Sequence, residues 1–130
     1  MKRKLAILMT MALTVALLCS CATFEKNTYR TMYIAGTSYD TGMKIVSKLY
    51  AEGNLCEWQR QDINKYGNIF YASYQLAVEA FEVWKKTQTQ AAKDVLISKL
   101  ASVFLNWTTY ADYINRVAPG TLPEKLEEIK

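Results

Sequence analysis

The chain predicts an all-α protein: an antiparallel three-helix bundle after an N-terminal signal helix, with a short C-terminal helical tail. Three observations carry this. Three long segments place apolar residues alternately three and four positions apart, the seam of a helix packed on its neighbours. Short breaks rich in helix-stop and helix-start residues separate them. No stretch alternates apolar and polar residues as a strand does, and no repeat beyond the heptads is present.

The first element is a short apolar helix. Lys2, Arg3 and Lys4 form a basic head, and Leu5 to Leu18 is apolar except for Thr10 and Thr14. That run is shorter than the roughly 20 residues of a membrane span and suits the core of a secretory signal. It ends in Leu18-Cys19-Ser20-Cys21. This quartet resembles the lipobox of bacterial lipoproteins, with an aliphatic residue at −3 (Leu18), Cys19 at the permissive −2, a small residue at −1 (Ser20), and Cys21 as the acceptor of lipid. The resemblance covers residues 1–21 only. It implies a mature chain that begins at an acylated Cys21, carries palmitate-type chains, and is held to the membrane by that covalent lipid. Ala22 follows the cysteine where an aspartate commonly retains lipoproteins in the inner membrane, so the resemblance favours a periplasm-facing position on the outer membrane of a two-membrane cell.

From Ala22 to Thr28 the composition suggests a tether, reaching roughly 25 Å if extended. The first bundle helix is expected from Tyr29, with a seam of Tyr29, Met32, Gly36, Tyr39, Met43, Val46 and Tyr50, capped by Gly53-Asn54. The second is expected from Cys56-Glu57 to about Lys86, with Ile63, Gly67, Phe70, Tyr74, Ala77, Phe81 and Trp84 on its seam. Thr87 to Gln90 reads as a capping box. The third carries Leu96, Leu100, Val103, Trp107, Tyr110, Ile114 and Val117, and Pro119-Gly120 stops it. Thr121 to Glu124 can open one more short helix with Leu122, Leu126 and Ile129 on one side. The expected divisions are a signal at 1–20, a lipidated tether at 21–28, the bundle at 29–118 and the tail at 119–130.

Folding these helices back about their short connections sets the seams in layers. Gly36 meets Tyr74 and Val103, Tyr39 meets Phe70 and Trp107, and Met43 meets Gly67 and Tyr110. Met32 falls with Ala77 and Leu100, and Val46 with Ile63 and Ile114. Small residues oppose large ones in three of these layers, as dense packing requires.

The composition narrows the function. The formal charge of +4 includes Lys2, Arg3 and Lys4; without them 13 basic residues face 12 acidic ones. Nucleic-acid binding needs a clustered basic surplus, and none remains. There is no histidine, hence neither the usual general base nor the commonest metal ligand. Asp40 and Asp112 flank the seams as solvated groups, no phosphate loop or nucleophile motif occurs, and neither a catalytic site nor a cofactor or metal is expected. Cys56 has no intrachain partner once Cys19 and Cys21 are accounted for; it is either a small apolar residue at a helix junction or an exposed thiol.

Two readings remain. One is a lipid-anchored helical protein of the cell envelope acting through contact with a protein partner or a second copy of itself. Its candidate surface is a second apolar stripe on the second helix: Ile69, Leu76 and Val83, with Tyr66 beside it. The C-terminal tail is expected to reach Tyr66 and Ile69 but not Val83. The alternative is a periplasmic binder of small molecules or lipid, suggested by nine tyrosines and three tryptophans, many of them on or beside the seams.

Overall fold

The computed structural model describes residues 2–124 and 126, with side chains from Cys21 onward. Three helices follow one another: α1 (Lys2–Ala51), α2 (Glu57–Thr87) and α3 (Gln90–Val117). No strand occurs among the described residues. The bundle is antiparallel at each turn. Phe24 near the beginning of the bundled part of α1 meets Trp84 near the end of α2, and Tyr39 meets Phe70 further along.

The ends of the helices follow local chemistry. Gly53 adopts φ 72°, the left-handed region in which a side chain is strained, and closes α1. Its N–H donates to the Tyr50 carbonyl at 3.1 Å, and the Asn54 N–H donates to that of Leu49 at 2.8 Å. Leu55 is buried in the connection. α2 opens at Cys56, whose backbone N–H donates to Gln59 Oε1 at 2.9 Å. Cys56 is exposed, so its position is that of a solvent-facing cap rather than a packed junction. The turn into α3 departs from the expected capping box: Thr87 still belongs to α2, Gln88 turns left-handed at φ 53°, and Thr89 is the cap, accepting from the Ala92 N–H at 3.2 Å. Ser and Thr are interchangeable cap signals at neighbouring positions, and which Thr is used depends on where α2 unwinds.

α1 differs most from expectation. No tether interrupts it: residues 22–28 are helical and dock, with Phe24 edge-on to Trp84 at 5.0 Å and Thr28 wholly buried. Its buried line is also rotated. Thr28, Met32, Ala35, Gly42 and Val46 turn inward, while Tyr29 and Tyr50 stay 64% and 47% exposed. Seven-residue steps at Thr28, Ala35 and Gly42 put small residues on the buried line of α1, with Gly42 against the Tyr110 ring. Tyrosine tolerates a half-wet position through its hydroxyl, so an apolar count that weights it as core misplaces the seam by part of a turn.

That core lies mainly between α2 and α3. Phe70 stacks with Tyr110 at 5.9 Å and meets the edge of Trp107 at 5.2 Å; Trp107, Tyr110 and Phe70 are all fully buried. Three pairs of the predicted layers form: Gly36 faces Tyr74, Tyr39 stacks on Phe70 at 5.6 Å, and Gly67 lies under the Tyr110 ring. But α1 meets Gly67 with Tyr39, not Met43, and Tyr39 also packs on Tyr110 at 5.4 Å. The tightest approach on α1, however, is at Gly42. A Cβ there would sit 2.5 Å from Tyr110 Oη and 3.1 Å from Leu122 Cδ1.

After Val117 the described chain is irregular, and no fourth helix forms there; Ile129 lies outside the described residues. Gly120, at φ 73°, turns the chain back. Asn115 holds Leu122 through both backbone groups, with Nδ2 donating to its carbonyl at 3.0 Å and Oδ1 accepting from its N–H at 3.1 Å. Trp107 Nε1 donates to the Pro123 carbonyl at 2.9 Å. Leu122 and Leu126 are buried. Pro123 lacks a donor, and the indole and amide bonds to the tail's backbone replace the ladder a helix would have supplied.

Candidate functional site

The docked tail closes against α3 and the Gly42 side of α1. It leaves two features uncovered on α2. The first is the apolar stripe. Ile69, Leu76 and Val83 are 44%, 47% and 53% exposed. Their seven-residue spacing lines them along about 21 Å of helix. They lie beyond the flank of α2 that faces α3, where Tyr66 stacks on Tyr113 with ring centroids 4.5 Å apart. Tyr66 is therefore half-buried and forms the margin of the stripe rather than its centre. Val95, at the matching heptad position on α3, is also 52% exposed.

The second feature is on the opposite flank of α2. An open groove of about 330 Å³ runs between α1 and α2, lined by Tyr33, Gly36, Tyr39, Asp40, Tyr71 and Tyr74 among others. Phe70 forms part of its inner wall. Gly36 leaves the space, and the Tyr74 hydroxyl lies over it, 3.0 Å from where a Cβ would stand. Tyr39 and Tyr71 stack at 5.5 Å, and Tyr71 and Tyr74 at 6.4 Å. Burial, then the neighbouring Tyr71 and the Asp40 carboxylate, push the Tyr39 phenol above its ordinary range. The same three influences, in the same order, raise that of Tyr74. The tyrosines were visible in the sequence as seam and flank residues. Their convergence was not, because it depends on how α1 packs against α2; Tyr33 and Asp40 stay exposed and form the outer margin of the groove.

The remaining candidate residues fall apart in space or in role. Cys21 is exposed on α1. The side chains of Leu18, Cys19 and Ser20 lie outside the described residues. Asp112 is exposed and pairs with Arg116 at 2.6 Å, one turn along α3. Among the described residues no group of three or more metal-ligating side chains is placed to hold an ion. No helix among them is long and apolar enough to cross a membrane.

Fold and surfaces together define an all-α three-helix bundle with two uncovered aromatic or apolar faces on its middle helix. Comparison with protein-family models, with curated proteins and with solved structures finds no match for this chain.

Proposed function

We propose that the chain is a lipid-anchored protein of the bacterial cell envelope, held through Cys21, which acts by contact with another protein or a second copy of itself rather than by catalysis. The resemblance of Leu18-Cys19-Ser20-Cys21 to a lipobox supports the anchor, and Ala22 supports the periplasmic face of the outer membrane. The observation that carries the contact role is the stripe on α2. The tail, which could have covered it, is fastened elsewhere by Asn115 and Trp107, and Leu76 and Val83 are left half in water. Exposed aliphatic side chains at regular spacing on a well-packed helix mark a docking face.

The helical start of the mature chain adds a geometric consequence. With residues 21–28 wound rather than extended and Phe24 docked on Trp84, the anchor stands about 5 Å of helix rise from the first packed ring instead of roughly 25 Å. Such an anchor orients the bundle as well as holding it.

Two measurements test this reading. Labelling cells with a palmitate analogue should mark the wild-type chain and Cys19→Ser but not Cys21→Ser; label on Cys21→Ser refutes the anchor. Sedimentation and crosslinking in native envelopes should lose an assembly or a crosslinked partner when Leu76→Glu and Val83→Glu are combined. Unchanged mass and unchanged crosslinks refute the contact role of the stripe.

A further inference from the structure

The groove between α1 and α2 has a chemistry distinct from the stripe, and it is independent of the lipid anchor. We propose that it is a binding site for a quaternary ammonium group, received among the rings of Tyr33, Tyr39, Tyr71 and Tyr74 with Asp40 as its counter-charge.

Elsewhere in this chain, cations of its own stand over aromatic rings. Lys93 stands over Phe24 at 4.5 Å, Arg60 over Tyr50 at 4.8 Å, Arg116 over Tyr113 at 5.0 Å, Lys65 over Tyr66 at 5.4 Å and Lys85 over Phe81 at 5.5 Å. A cation over a ring is attracted by the negative face of the π-system. Among the described residues, the four tyrosines of the groove have no such cation from their own chain, although Tyr39, Tyr71 and Tyr74 stack in series there. Asp40, like Asp62 and Glu79, is also without an ion pair among the described residues, and of these three it is Asp40 that lines the groove. Glu52, Glu57, Glu82 and Asp112 each pair with a Lys or Arg on their own helix or at its end. No described side chain forms an ion pair or hydrogen bond with Asp40. The groove thus joins unoccupied aromatic surface to an uncompensated carboxylate.

The kind of cation follows from what the walls present, which is chiefly aromatic rings. A primary ammonium is strongly hydrated and needs about three acceptors when it leaves water. The Thr37 hydroxyl is engaged with the Tyr33 and Ile34 carbonyls at 2.9 and 3.1 Å, so the acceptors left are the Asp40 carboxylate and the phenol oxygens, each at the edge of its ring and not over its face. A quaternary ammonium has no N–H to satisfy, carries a diffuse charge and presents methyl groups to the rings. The space, about 330 Å³, exceeds what a trimethylammonium head occupies. Burial chiefly, then Tyr71, raises the phenols of Tyr39 and Tyr74, and the Asp40 carboxylate adds a smaller share.

The test uses the full chain in maltoside micelles with isotope-labelled tyrosine rings followed by NMR. Choline should shift Tyr33, Tyr39, Tyr71 and Tyr74 saturably while leaving Tyr50 and Tyr113 in place. The uncharged carbon isostere of choline should bind about tenfold more weakly or worse. Asp40→Asn, an exposed change that leaves the bundle intact, should weaken choline about fivefold. Tyr71→Leu should weaken it as well. To find the source of the group, the chain is placed in nanodiscs of phosphatidylcholine or of phosphatidylglycerol. Shifts in the first without added choline assign a lipid headgroup; shifts that appear only with free choline assign a soluble cation. Equal binding of choline and its isostere would reduce the groove to a plain apolar cleft. Equal binding by wild type and Asp40→Asn, or no saturable shift with any probe, overturns the proposal.

Discussion

Gly42→Ala adds one methyl group at the point where α1 comes closest to the rest of the bundle. On an isolated helix the change is favourable, by about 1 kcal/mol. Here the new Cβ would lie 2.5 Å from Tyr110 Oη and 3.1 Å from Leu122 Cδ1. Neither neighbour yields easily. Tyr110 is fully buried, stacks on Phe70 and donates to the Tyr39 carbonyl at 3.4 Å, while Leu122 is held by both bonds from Asn115. Overpacking of this kind costs about 1–3 kcal/mol, and stretching the phenol off its acceptor adds about 1 kcal/mol. The expected net effect is destabilisation by about 1–3 kcal/mol, or a melting temperature lower by at least about 4 °C. Gly36→Ala is the control. Its Cβ meets only the hydroxyl end of the half-buried Tyr74, which can swing into the groove, so stability should hold or rise by up to about 1 kcal/mol. Urea and thermal unfolding of the full chain, followed by circular dichroism, measure both. Adding Tyr110→Phe to Gly42→Ala should recover part of the loss, since it removes the clashing oxygen. If Gly42→Ala is as stable as wild type, or Gly36→Ala is the more damaging of the two, the rotation of α1 described above is wrong.

Two further outcomes follow from the same interior. Thr28 Oγ1 is buried without a hydrogen-bond partner, a state that costs about 1–3 kcal/mol, so Thr28→Val, which keeps the shape and discards the oxygen, should raise the urea midpoint by about 1 kcal/mol of stability; a lower midpoint refutes the dry environment assigned to it. Burial, then Tyr39 and Asp40, raise the Tyr110 phenol far above its ordinary value of 10.0. A raised folded pKa means stability that is whole below the unfolded value and is lost as pH climbs through and beyond it. Unfolding should therefore become easier from about pH 10 upward, and Tyr110→Phe should flatten that decline; equal alkaline slopes for the two chains would count against it.

Much of the architecture was legible in the residues themselves. The seams of α2 and α3 could be read directly because their core positions are occupied by Ile, Phe, Trp, Leu and Val, whose transfer from water leaves them one stable place. Gly53 and Pro119 marked helix ends through backbone geometry, which is local. The stripe at Ile69, Leu76 and Val83 was visible for the same reason, as apolar positions left over after the seam was filled. α1 was harder to read. Its inward line is made of Thr28, Ala35 and Gly42, residues with little apolar weight, and its outward line carries Tyr29 and Tyr50, which look like core and are not.

What the sequence by itself determined is the helical class, the number and order of the bundle helices, and the register of α2 against α3, because periodicity, caps and apolar burial act through neighbours along the chain. What only the tertiary structure decided is the rotation of α1, the winding of residues 22–28 onto Trp84, and the side on which the tail lies. Each of these is settled by how volumes fit between helices: a bulky ring such as Tyr110 needs a glycine opposite it, and Leu122 goes where Asn115 can satisfy its backbone. The tyrosine groove depends on the same fit, since Gly36 leaves the space under the Tyr74 hydroxyl that side chains of α1 and α2 then line.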